Sequence, residues 1–157
     1  MAVYASNGAT FYICETAQAS EPANAAAYQA LTWVKVGELE SLGTFGDTSN
    51  EISWATLEDP RVRRFKGTRN AGTLEIVCGR DYGDDGQTAI LTAEESDDEF
   101  AFKVLFNDAP SGGTPSERYF VAVVGAATET VDTADNIVKL NATLWINSKI
   151  TRVAASS

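Results

Sequence analysis

The 157-residue chain contains no histidine, two cysteines, one methionine and four prolines, and sets only 12 basic residues against 22 acidic ones. Without histidine there is no Ser-His-Asp or Cys-His nucleophile, no imidazole general base, and no member of the commonest class of zinc ligand. Cys14 and Cys78 are too far apart to form a CxxC motif. The opening stretch Met1 to Ser6 has no basic start leading into an apolar run, so no secretory leader is expected. Outside an oxidising compartment, both cysteines are expected as reduced, buried thiols. The shortage of Lys and Arg leaves a net charge of −10. Tight nucleic-acid binders displace phosphate counterions with basic side chains, so the chain as a whole is wrong for that role. The apolar runs are short, as at Val121 to Val124, and none is long enough to span a bilayer. No membrane association is expected.

Against these absences, 44% of the residues are apolar and 10% aromatic. That is a globular composition in a chain of one domain's length, so a single domain over residues 1–157 is expected. The dominant signal is alternation with period two. Phe11 and Ile13 alternate with Thr10, Tyr12 and Cys14. Thr32, Val34 and Val36 share one face. Ile52 and Trp54 lie on one side of a short strand. Leu74, Ile76 and Cys78 alternate with Thr73, Glu75 and Val77, and Phe100, Phe102, Val104 and Phe106 form a further set. The longest case is late, where Val138, Leu140, Ala142, Leu144, Ile146 and Ile150 face one way. Such strands have one face on a core and one face wet. Trp145 stands on that otherwise polar face and reads as a partner surface or a residue under a neighbouring loop. Tyr119 to Val124 is apolar on both faces and reads as a central strand that Gly125 ends, with Ala126 to Asn136 as a loop or irregular hairpin.

One segment breaks the alternation. Asp84 to Glu95 places helix formers after an acidic start that caps the first free N–H groups and opposes the helix dipole. The expected fold class is therefore mainly β: an antiparallel β-sandwich or partial barrel with one flanking α-helix at about 84–95. A long loop at about 43–72 completes it. That loop holds five of the 12 basic residues, Arg61, Arg63, Arg64, Lys66 and Arg69, while eight of the 22 acids fall between Asp81 and Glu99. A basic loop and an acidic patch on one chain suit head-to-tail self-association, although two solvated faces explain the same charges.

No catalytic or ligand motif stands. Asp81, Asp85 and Gly86 fit three positions of an EF-hand loop, but Gly83 and Thr92 occupy positions that need ligands. Gly43 and Gly46 are followed by no Gly-Lys-Ser/Thr, so there is no P-loop. Glu38 and Glu40, spaced for one side of a strand, are surface carboxylates rather than a glycosidase pair. Asn141-Ala142-Thr143 is a chance sequon within a strand. No enzyme, cofactor or metal is expected, which leaves a binding or structural protein.

Two runs are more specific. Val36-Gly37-Glu38-Leu39-Glu40-Ser41-Leu42-Gly43-Thr44-Phe45-Gly46-Asp47 is followed by Asp59-Pro60-Arg61-Val62-Arg63-Arg64-Phe65-Lys66-Gly67-Thr68-Arg69-Asn70-Ala71-Gly72-Thr73-Leu74-Glu75. In order and spacing they resemble the tail tube proteins of long, non-contractile-tailed bacteriophages. The match covers roughly residues 33 to 91, with Arg64 for a common Lys and Asn70 for a common Asp. The resemblance implies a structural virion protein whose subunits form rings, usually hexameric, that stack into a hollow tail tube for DNA ejection. It implies an inner barrel built from one sheet per subunit, and a long loop reaching a neighbouring subunit or ring. Interface residues would then include Phe45, Asp47, Arg61, Arg63, Arg64, Phe65, Lys66 and Arg69. Glu38, Glu40 and Glu75 are candidates for an acidic lumen that repels DNA over about 8 Å at physiological salt. The implied partners are further copies of the chain and the tape measure, tail tip or initiator, and terminator proteins. Double-stranded DNA would pass without specific binding. The implied location is the virion tail, after the host cytoplasm. The alternatives are a related ring-former, such as a tail terminator or secretion-system tube protein, and a monomeric β-sandwich binding module.

Overall fold

The computed structural model describes residues 3–157. Met1 and Ala2, part of the stretch read for a leader, lie outside them. The elements run β1 (Thr10–Ala17), α1 (Ala25–Gln29), β2 (Val34–Val36), β3 (Leu39–Ser41), β4 (Thr48–Trp54) and β5 (Arg63–Asn70). They continue β6 (Thr73–Gly79), α2 (Asp85–Glu94), β7 (Phe100–Leu105), β8 (Glu117–Thr130), β9 (Lys139–Ile146) and β10 (Thr151–Val153). The expected antiparallel, mainly β architecture is present. Eight strands form one sheet in the order β2-β1-β7-β8-β9-β6-β3, with β10 beside the start of β8, and β4 and β5 pair apart from it.

The end strands β2 and β3 are adjacent in sequence, joined by Gly37 and Glu38 alone. The sheet must therefore curl until its ends meet. They share no ladder, so the result is a partial barrel with an open seam. Glu38 adopts φ 56° in this joint, a region that non-glycine residues rarely enter.

Alternation explains the interior. Phe11, Ile13, Leu74, Ile76, Cys78, Phe102, Val104, Phe120, Leu140 and Leu144 are all buried on the concave face. The rings of Phe11, Phe102 and Phe120 stack in sequence at centroid distances of 5.6 and 5.7 Å, a favourable offset arrangement. Helix α2 adds Ala89, Ile90 and Ala93 to this core. Asp84 caps it by accepting a hydrogen bond from the Gln87 amide, as its position before the helix predicts.

A second, short helix was not anticipated. Five residues are too few for a helical period to show. It sets Tyr28 on the outer face of the sheet, stacked on Tyr119 at 5.1 Å, within a cluster that includes Cys14, Ala101 and Val121. Cys14 and Cys78 are buried free thiols in different clusters. Among the described residues, the outer face over β6, β9 and the end of β8 has no such cover.

Gly125 does not end its strand. β8 continues to Thr130 through a bulge between Val124 and Ala126. Residues 126–130, read as loop, pair with β9. The glycine is there because a Cβ would stand 2.6 Å from the Trp145 ring. A strand glycine often marks such a bulge or close approach.

The start of α2 ties the sheet ends together. The fully buried Gln87 side chain donates to the Gly37 carbonyl at 3.0 Å and the Gly79 carbonyl at 2.8 Å. Its oxygen accepts from the Asp81 amide at 3.1 Å and from Arg80 Nη1 at 3.2 Å. Asp84 Oδ2 accepts from the Gly37 amide at 3.0 Å. Gly86 admits the crossing chain, since a Cβ there would meet the Lys35 carbonyl at 2.2 Å.

Replacing Gln87 by Leu keeps the bulk and strands these buried polar groups, each worth about 1–3 kcal/mol when left unsatisfied. The expected loss is about 3 kcal/mol or more in a denaturant titration. A loss below about 1 kcal/mol would show that the amide does not hold the sheet ends.

A second expectation concerns alkali. Burial, with Asp84 adding to it, pushes the Cys78 thiol from 9.0 up to about 11. Burial, reinforced by the hydrogen bond to Glu117, also raises Tyr119. The native state favours the neutral thiol, and the unfolded thiol ionises first. Stability is therefore complete below pH 9 and falls as pH climbs towards 11. Denaturation midpoints across that window should decline, and less steeply in Cys78→Ala. An identical slope in that variant would remove Cys78 as a cause.

Candidate functional site

Residues 48–70, expected as part of a long loop with one short strand at Ile52 and Trp54, form a two-stranded antiparallel arm. Its register runs from Thr48 opposite Asn70 to Trp54 opposite Arg63, with an irregularity between Ser49 and Glu51. The polar composition of β5 and Gly67 within it hid the partner strand. The register decides which side chains share a face. Ile52 lies opposite Phe65, and Trp54 opposite Arg63. Ile52 packs over Gly67, within 3.2 Å of where a Cβ would stand. Glu51 opposite Lys66 and Ser53 opposite Arg64 form the other face.

The arm is therefore amphipathic, and nothing among the described residues covers its apolar side. Ile52, Trp54 and Phe65 are 52%, 59% and 57% exposed, and Leu57 and Val62 near the tip are exposed as well. Isolated two-stranded ribbons are marginal in water, and clustered exposed apolar groups mark contact surfaces. Ile52 and Trp54 were visible as a one-sided pair in sequence. They become candidate contact residues only once β5 supplies Phe65 beside them.

The predicted interface residues divide by position. Phe45 is part-buried against the core, 6.1 Å from the Phe120 ring. It anchors the base of the arm and is not a free contact. Asp47 and Arg69 pair across that base at 3.2 Å, beside the Thr48 hydroxyl bond to the Asn70 carbonyl at 3.0 Å. Gly46 and Gly72 flank the base at φ 147° and 82°. Arg63 pairs with Asp59 at 3.0 Å and Arg64 with Glu51 at 3.1 Å. These exposed pairs are individually weak and exchangeable. Arg61 and Lys66 have no ion-pair partner among the described residues.

The three lumen candidates do not sit together. Glu75 projects from the uncovered outer face of β6, opposite Thr143. Glu40 reaches the same face but binds Lys139 at 3.0 Å. Glu38 lies in the β2–β3 joint, off any strand. The rest of that face is neutral, with Thr73, Asn141, Thr143 and the half-exposed Trp145. Of the acidic stretch, Asp84 is spent as a helix cap, and Glu94, Glu95, Asp97 and Asp98 are exposed at and beyond the end of α2.

No family model matches the sequence, and no curated protein does so either. Solved structures do resemble it. The SPP1 tail tube aligns at TM-score 0.63 and 14% identity, over 93% of this chain and 76% of that one. The sheath/tube terminator of an extracellular contractile injection system, PVC, in its extended state aligns at TM-score 0.69 and 9% identity, over 98% and 99%. The tube-terminating cap of the anti-feeding prophage aligns at TM-score 0.64 and 14% identity, over 98% and 95%. The chain has the tail-tube fold. Within that fold, the arm is the segment whose apolar face this chain leaves without a partner.

The division between anchor and free contact is measurable. Trp54→Ser and Phe65→Ser should each change unfolding free energy by less than about 0.5 kcal/mol. Phe45→Ala should lower it by about 2 kcal/mol, the cost of removing a part-buried ring. Equal losses in all three would mean that the arm packs on its own body.

Proposed function

We propose that the chain is the tail tube subunit of a long, non-contractile-tailed phage, a structural protein that assembles by self-association. Copies form rings, read as hexameric from the family resemblance, and the rings stack into a conduit for DNA ejection. The observation that carries this reading is the amphipathic arm on a tail-tube fold: its exposed apolar face is explained when a second copy covers it. The net charge of −10 suits the conduit, because an acidic wall repels DNA where a basic one would hold it. Glu75 is the carboxylate we assign to that wall; Glu40 reaches the same face paired to Lys139, and Glu38 lies apart from it in the β2–β3 joint. The further partners would be tape measure, tip and terminator proteins, and the location the virion tail, after the host cytoplasm.

Resemblance to a sheath/tube terminator and a terminating cap favours a second reading, in which the chain closes a tube rather than extending it. Stacking separates the two. A tube subunit adds rings without limit, whereas a terminator stops at one.

Negative-stain microscopy with light scattering on the purified chain tests both. Stacked rings or tubes are expected for the unaltered protein at high concentration, and monomers for the Trp54→Ser/Phe65→Ser double variant. Single rings would select the terminator. An unaltered monomer whose residues 48–70 already resist hydrogen exchange would sink assembly through the arm and favour a binding module.

A further inference from the structure

Two hollows of about 450 and 440 Å³ adjoin through shared walls at Glu38, Gly79 and Ile137. Together they form one cleft between the β2–β3 joint, the β6–α2 turn and the β8–β9 connection. We infer that this cleft receives the apolar face of the arm from a second copy of the chain. The inference rests on arm-mediated self-association and adds where the arm lands.

Chemistry selects the cleft. Its lining includes the exposed Tyr82 and Ile137, at 72% and 71%, and the half-buried Leu39. Glu38, Asp81 and Asp135 line it, and none has an ion-pair partner among the described residues. The two basic residues at its walls are already matched, Arg80 to Glu129 at 3.1 Å and Lys139 to Glu40 at 3.0 Å. The cleft thus presents apolar surface and unbalanced negative charge. The arm presents apolar surface and, near its tip, the unpaired Arg61, while Lys66 lies on the opposite face. Arg63 stands on the apolar face itself, and its exposed pair with Asp59 can be traded for a cleft carboxylate.

The other surfaces fit less well. A hollow of about 590 Å³ between β3 and the start of β1 is apolar at Leu42, Phe45 and Phe106, but its carboxylate is the matched Glu40. The acids near the end of α2 have no exposed large apolar side chain among them. Trp145 on the open face stands opposite Thr73 and Val123, with Glu75 two residues further along β6. Among the described residues, only the cleft combines exposed apolar side chains with several free carboxylates. Reach is adequate: strands of seven and eight residues carry the arm about 25 Å from its base.

Cross-linking tests the landing site. Both native thiols are buried, so oxidised glutathione should join only introduced ones. Protein carrying Phe65→Cys is mixed with protein carrying Ile137→Cys. The yield of disulfide-linked dimer should exceed that of Phe65→Cys with Thr143→Cys by about tenfold, because only correctly placed thiols meet disulfide geometry. A charge exchange supplies the second readout. Arg61→Glu and Asp135→Lys should each weaken assembly, and combining them should restore it. Arm-dependent assembly with a dimer yield equal to the Thr143 control would overturn the cleft and leave arm-mediated assembly standing. Neither assembly nor cross-link at any concentration would overturn both.

Discussion

The fold turns on a joint of two residues. Gly37 and Glu38 connect the first and last strands of the sheet path, so the sheet cannot lie open. Curvature of that degree exposes backbone at the joint, where the strands separate without pairing. The Gln87 amide satisfies it with two donated and two accepted bonds, the full capacity of the group. A buried network of this kind fixes geometry because every member depends on the others. Helix α2 is consequently more than a cover for one side of the core. Its first turn sets the distance between the sheet ends, and its later residues fill the concave face.

Curling the sheet around its own core also explains why the arm is left out. The concave face is filled by aromatic and aliphatic side chains, and the outer face is half covered by α1 and its cluster. The remaining outer surface is mostly polar and offers Ile52, Trp54 and Phe65 little to pack on. An arm with an apolar face and no intramolecular receptor gains stability only from another molecule. Ordering it there costs conformational entropy, which weakens the first contact and favours surfaces that present several receptors at once.

Sequence carried much of this and lost the rest for identifiable reasons. The β9 alternation and the Asp84 cap were legible because each follows a local rule. Gly125 was misread because its role is set by Trp145, twenty residues later and on the neighbouring strand. Phe45 is an expected interface residue only through the resemblance of its run to tail tube proteins, and a resemblance of that kind does not say whether a side chain packs inward or outward. The second strand of the arm was missed because β5, with Phe65 as its one large apolar residue, has no period to detect. The cleft was invisible, since its residues come from three separate turns that only the curled sheet brings together.

Charge gives the arrangement a direction. Residues 48–70 hold five basic and three acidic side chains, which leaves seven basic and 19 acidic on the rest of the chain. Two bodies of this kind repel each other, and so do a body and DNA. The arm alone has the opposite sign, so the attractive encounter between copies is arm to body. Body-to-body and arm-to-arm contacts are disfavoured by the same field. A head-to-tail contact of this type is heterologous, and repetition of it yields a closed ring or an open stack rather than a two-fold dimer. High salt would weaken the steering while leaving the apolar contact intact. In the proposed assembly, charge would govern how fast and in which orientation copies meet, and the Ile52–Trp54–Phe65 face how long they stay.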